Sequence, residues 1–234
     1  MQEITDFRKL LDERKDDILA RTQALDAEDR EKELEEINCF KNDLKNNIEK
    51  YLVKFGVPKR FLNPRSHTDK LNFQKGYFFH GPVGTGKTDG AASLLKNIVL
   101  NTEPGKESGR LTIPSELALF VSVPMMLLNI RSAFKKDSID ENEIIKKYTK
   151  VKILVLDDLG TEKVSEWVMQ TLYIIINARY EDEKQTIITS NYDLNEIKES
   201  LNDKIASRIT AMTETIHLTG IDRRSGLSVM TMVK

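Results

Sequence analysis

The 234-residue chain is 39% hydrophobic and 31% charged, with a formal net charge of −1, a composition that fits one full domain plus an appendage and excludes global attraction to nucleic acid or anionic lipid. No apolar run approaches the ~20 residues of a membrane span, and the N-terminus carries no signal-peptide core, so no membrane partner and a cytoplasmic setting are expected. The single cysteine, Cys39, excludes an internal disulfide and a multi-cysteine zinc site.

Residues 1–55 read as a charged helical region. Ile4, Phe7, Leu11, Ile18 and Leu25 fall at helical or heptad spacing, and Leu34, Ile37, Phe40, Leu44, Ile48 and Leu52 resume it after the charge-only run "DAEDREKE". The apolar stripe is too narrow for a core of its own, so it packs either on the rest of the chain or on another protein. Residues 56–74 form a connector with two prolines and a basic cluster, Lys59, Arg60 and Arg65.

From residue 75 onward, strand and helix patterns alternate. "KGYFFHG", "LALFVSV", "VKILVLDDLG", "QTIITSN" and "TIHL" are apolar runs between helical stretches, which predicts a five-stranded parallel sheet covered on both faces. Ala91, Leu94, Leu95 and Ile98 share one helical face. Pro124 opens the helix "PMMLLNIRSAF", and Ser165 caps a helix that turns Val168, Leu172, Ile175 and Ile176 inward. "DLNEIKESLNDKIASRITAM" reads as one helical stretch, and residues 101–116 as an exposed polar loop.

Gly81, Pro82, Val83, Gly84, Thr85, Gly86, Lys87 and Thr88 satisfy G-x-x-x-x-G-K-[ST] between a strand ending at His80 and a helix beginning near Lys87. In that context the glycines aim successive amides inward, and the helix start adds unpaired donors, so a phosphate is the natural guest. Lys87 would reach the β- and γ-phosphates, and the Thr88 hydroxyl would ligate magnesium. The run Ile153–Leu156 buries a strand whose carboxyl end presents Asp157 and Asp158 at the edge where open α/β sheets bind ligands. Asp157 is the candidate for the Mg2+ shell and Asp158 for the acid that activates water. Asn191, at the end of "TIITSN", either touches the γ-phosphate or serves as a turn residue before Asp193. Arg208 faces away from Ile205 and Ile209, as a finger reaching another subunit's site or as a surface ion pair. Arg223 and Arg224 either report on phosphate or grip DNA.

In these motifs and their order the chain resembles the DnaC/DnaI helicase loaders and their IstB-like relatives, AAA+ ATPases of the DnaA-like clade, from Gly56 to about Arg224. The resemblance implies an α/β AAA+ P-loop core over residues 75–234, an adenine-side segment within 56–74, and a partner-binding helical region over 1–55. It implies ATP and Mg2+ as cofactors, Asn191 as sensor 1, Arg208 as the trans arginine finger, and Arg223 or Arg224 as sensor 2. It further implies assembly into a helical or ring-like oligomer, single-stranded DNA on the inner surface, and the hexameric replicative helicase as partner. An IstB-like helper of transposition and a nucleotide-gated adaptor with little turnover are the alternatives. The chain departs from the family in its long 101–116 segment and in Asp89, which stands where a histidine is common and receives no role. It also lacks a cysteine-rich zinc domain, and little or no C-terminal lid is expected.

Overall fold

The computed structural model describes residues 29–133, 141–220 and 231–233. The first part of the apolar stripe, Ile4 to Leu25, lies outside them, as do Arg223 and Arg224. The chain divides into two units: residues up to Asn46 together with Lys106–Leu111, and Asn47–Gly105 together with Thr112 onward.

In the first unit, residues 29–46 are helical (α1), and Lys106 Nζ pairs with Glu33 Oε1 at 3.0 Å. The 101–116 segment differs from the expected plain loop. Gly105–Glu107 (β2) and Arg110–Thr112 (β3) pair as a two-stranded ribbon. The two linking residues, Ser108 and Gly109, have φ of 51° and 77°, the left-handed geometry that lets a two-residue turn follow strand twist. Ser-Gly supplies that turn without any apolar alternation, so periodicity did not reveal the strands.

The second unit is built on a sheet ordered β4-β5-β6-β1-β7-β8. Its strands are β1 (Gly76–His80), β4 (Ala118–Ser122), β5 (Ile153–Leu159), β6 (Thr186–Ser190), β7 (Thr213–Thr219) and β8 (Thr231–Val233). The first five strands in that order run parallel, as expected, and β8 adds an antiparallel edge. Every residue of β6 is buried, as are Tyr77, Phe78 and Phe79 of β1 and the Ile153–Leu156 run of β5. Such continuous burial is the mark of a sheet covered on both faces.

The helices are α2 (Ile48–Lys54), α3 (Lys87–Leu100), α4 (Val123–Ala133), α5 (Glu141–Lys150), α6 (Glu166–Glu181), α7 (Leu194–Ser200) and α8 (Asp203–Met212). Phe78, Leu154, Leu156 and Ile188 form one core cluster with Met126 and Ile130 of α4, Leu172, Ile175 and Ile176 of α6, and Ile205 and Ile209 of α8. Each such side chain contributes roughly 1.5–3 kcal/mol by leaving water.

Ser165 caps α6 by accepting from Val168 N–H. The single helical stretch read over 193–212 is two helices, because the Asn202 side chain accepts from Ile205 N–H and starts α8 afresh. At the other end of the unit, Phe120 N–H donates to Phe55 O at 2.7 Å. A Cβ on Gly56 (φ 90°) would lie 2.5 Å from Phe120 O, so only glycine fits where the chain leaves α2 to cross β4.

Candidate active site

The link from β1 to α3 is the glycine loop. Gly81, Gly84 and Gly86 have φ of 138°, 85° and 96°, a sequence of turns that L side chains rarely follow. A Cβ on Gly81 would lie 2.2 Å from Leu218 O of β7, so the loop hugs the neighbouring strand. Gly86 stands at the N-cap of α3 with no side chain to cap it, which leaves the first amides of that helix for another acceptor. Lys87 is buried, and its ammonium donates to Gly81 O and Pro82 O, both at 2.8 Å. Thr85 Oγ1 braces the same loop by donating to Pro82 O at 2.9 Å.

Across the cleft, the β5–β6 pairing shifts register between Leu156 and Leu159, and the two acids fall in that irregularity. Asp158 has φ 60°, a left-handed conformation in which a non-glycine residue stores ~1–2 kcal/mol. Thr189 of β6 holds both acids: its hydroxyl donates to Asp157 Oδ1 at 2.6 Å and accepts from Asp158 N–H at 2.9 Å. Burial pushes the Asp157 carboxyl up to about 6, with the Asp158 charge adding to the rise. The hydrogen bonds from Thr189 and Thr88 and the Lys87 charge pull it the other way. The turn beyond is pinned by Thr161 Oγ1 donating to Asp158 O at 2.9 Å and by Gly160 N–H donating to Glu162 Oε2 at 3.1 Å. Thr88 Oγ1 donates to Asp157 Oδ2 at 3.3 Å, so the glycine loop meets the acids across 69 residues of sequence.

An open cleft of about 820 Å3 runs along this junction. Val83, Gly84, Gly86, Lys87, Thr88, Asp157, Asp158 and Asn191 line it, and Arg60, Phe61, Asn63 and Arg65 of the connector form its far wall. Thus eight of the expected site residues line one cleft, and Gly81, Pro82 and Thr85 belong to the loop on its edge without lining it. Arg208 is elsewhere, on α8, and Arg224 lies outside the described residues.

Asp89, given no role by sequence reasoning, fastens that far wall. Its carboxylate accepts from Arg65 N–H at 3.1 Å, from Ser66 N–H at 2.8 Å and from the Ser66 hydroxyl at 2.5 Å. One turn on, Ser93 Oγ donates to Ser66 O at 2.6 Å, and a further turn on Asn97 Nδ2 donates to Thr68 Oγ1 at 3.0 Å. Residues 89, 93 and 97 form one polar stripe on α3, and their i, i+4, i+8 spacing was the available signal.

The Thr88 hydroxyl and the Asp157 carboxylate converge as hard oxygen donors of the kind magnesium takes, and these two would hold a divalent ion. Among the described residues no cluster of three or more His, Cys, Asp or Glu could hold a metal.

The comparisons with known proteins bear on the fold and the family. The replicative helicase loader DnaC of Buchnera aphidicola subsp. Baizongia pistaciae is 25% identical over 142 residues, covering 59% of this chain and 52% of that protein. DnaC of Escherichia coli K12 is 21% identical over 133 residues, covering 57% and 49%. The chain therefore spans about half the length of these relatives. A crystal structure of the DnaC helicase loader superposes with a TM-score of 0.52 at 26% identity, covering 64% of this chain and 83% of that one. Domain III of DnaA from Thermotoga maritima shares the fold, with a TM-score of 0.50 at 24% identity over 76% and 65% of the two chains. The family model of IstB-like ATP binding proteins matches residues 11–221. The chain belongs to that family, with the DnaC-type AAA+ fold.

Proposed function

We propose that the protein is a Mg2+-dependent ATPase that loads a hexameric replicative helicase onto single-stranded DNA. The observation that carries the reading is the Thr88–Asp157 contact, which joins a glycine loop to a pair of acids, one of them left-handed, in the lining of one cleft. The amides of Gly84 to Thr88 and the Lys87 ammonium bind the triphosphate tail, and Phe61 with Arg60 offers the base a stacking and polar wall. Thr88 and Asp157 would hold a magnesium ion, which would neutralise charge on the phosphates. Asp158 takes the proton of the attacking water, Asn191 orients that water or the γ-phosphate, and Arg208 reaches a neighbouring subunit's site.

In this reading Arg224, or Arg223 beside it, senses the nucleotide. Residues 1–55 hold the helicase, 56–74 close the adenine side, and 75–234 form the ATPase core. Subunits assemble into a helical or ring-like oligomer around the DNA, which suits a cytoplasmic replication factor. The DnaC relatives support the helicase as partner. The IstB-like family match supports a second reading, an ATPase that assists a transposase.

Affinity capture from extract of the native host, with ATP and with ADP, separates the two. A replicative helicase retained with ATP and lost with ADP is the expected result. A transposase in its place would replace the first reading by the second, and capture of neither in both nucleotides would overturn both.

A further inference from the structure

Arg208 is held by its own chain in a way that a solvent-exposed ion pair would not require. Its Nε donates to Asn177 Oδ1 of α6 at 3.0 Å, and its guanidinium carbon lies 4.7 Å from the centre of the Tyr180 ring, also on α6. Asn177 is itself oriented: its Nδ2 donates to Glu181 Oε1 at 2.9 Å, which turns the amide oxygen toward Arg208. Among the described residues, the two terminal nitrogens of Arg208 have no hydrogen-bond or ion-pair partner. The guanidinium is thus fixed along one edge and one face, while the edge that binds oxyanions bidentately stays open. A fixed, stacked arginine loses less side-chain freedom when it meets an anion than a freely rotating one.

We propose that Asn177 and Tyr180 are positioning residues that hold Arg208 ready for the γ-phosphate bound in a neighbouring copy of this chain, with Glu181 orienting Asn177. This rests on the reading of Arg208 as a residue acting in trans. The cradle acts on the donor subunit and leaves that subunit's own cleft untouched, since neither Asn177 nor Tyr180 lines it. Its signature is therefore a fall in kcat of the acceptor site with no change in the KM for ATP.

The test mixes subunits at concentrations where the wild-type protein assembles. Lys87→Ala subunits, without nucleotide of their own, supply Arg208 to Arg208→Ala subunits and restore ATP turnover. Adding Tyr180→Leu or Asn177→Ala to the Lys87→Ala donor cuts the restored kcat roughly ten- to hundredfold at unchanged KM. Tyr180→Phe, which keeps the ring, gives back most of the loss. Lys204→Ala in the donor is the control, because it removes the adjacent stack of Lys204 on Tyr173 without touching Arg208. Equal loss in that control would assign the effect to the whole α6–α8 face and overturn the cradle. If Arg208→Ala alone keeps full turnover, the trans reading falls. If Arg208→Ala loses turnover while the Tyr180 and Asn177 donors restore it fully, only the cradle falls.

Discussion

Arg179 and Asp157 sit at opposite ends of the β5–β6 pair, with 0% and 6% of their surfaces exposed, and the protein treats the two buried charges in opposite ways. At the amino end, Arg179 spends all five of its N–H groups. Nε donates to Thr186 Oγ1 at 2.9 Å, and the terminal nitrogens donate to the carbonyls of Tyr148, Val151, Lys152 and Gln185 at 2.6–3.2 Å. Burial lowers its pKa to about 10, which leaves it charged at neutral pH. At the carboxyl end, Asp157 has two hydroxyl donors, a like charge beside it, and a pKa raised to about 6 by burial. Its neighbour Asp158 is held left-handed, and both face an open cleft. Burial of an ionisable group is common to both ends, so burial alone does not mark a site. A like charge beside a buried carboxylate, backbone strain and access to a ligand mark the carboxyl end, whereas saturation of every donor marks the amino end as a fastening.

The sharpest way to break that contrast is Arg179→Met. It strands several buried carbonyls, each costing about 1–3 kcal/mol when unpaired, so a loss on the order of 4 kcal/mol is expected in urea denaturation, a large share of a domain's ~5–15 kcal/mol. Arg179→Lys keeps the charge but cannot span the fork of acceptors and recovers only part of the loss. ATP affinity of the folded fraction stays near wild type. A variant that melted normally yet lost ATP would make the amino end part of the functional machinery and erase the distinction.

Asp158→Asn addresses the other end. Turnover falls about 10²-fold, the usual contribution of a positioned proton acceptor, while ATP affinity stays within about twofold. Melting is unchanged, because asparagine tolerates the left-handed region as well as aspartate does. Undiminished turnover would remove Asp158 from the chemistry and favour a different water-activating group.

The two ends also differed in how far the sequence disclosed them. The carboxyl end was legible because its chemistry is written as contiguous strings: "GPVGTGKT" carries turn, cradle and helix start, and "ILVLDDLG" carries a buried strand and its two acids. The parallel sheet followed from the same apolar runs. Arg179 was not legible, since four of its five acceptors are main-chain carbonyls 6 to 31 residues away, and a carbonyl belongs to every residue type. The ribbon of β2 and β3 escaped because its six residues show no alternation, and the break between α7 and α8 because helical periodicity runs through Asn202. The cradle of Arg208 depends on α6 and α8 packing side by side, which sequence patterns do not reveal.

Asp89 stands between these cases and gives the smallest and most discriminating expectation. It lies on α3 beside the glycine loop, yet its carboxylate faces the connector, where it satisfies two backbone amides and a hydroxyl. Asp89→Ala leaves those donors to water and is expected to lower stability by about 1–2 kcal/mol. Asp89→Asn keeps one acceptor oxygen and loses roughly half as much. The consequence at the cleft is indirect: Arg60, Phe61, Asn63 and Arg65 line it, and Asp89 holds the connector at the Arg65 end of that run. Affinity for ATP therefore drops a few-fold in Asp89→Ala, while affinity for inorganic triphosphate, which does not need that wall, is unchanged in the same calorimetric titration. Equal losses for both ligands would mean that Asp89 acts through the glycine loop, and the far wall would then have no part in holding the base.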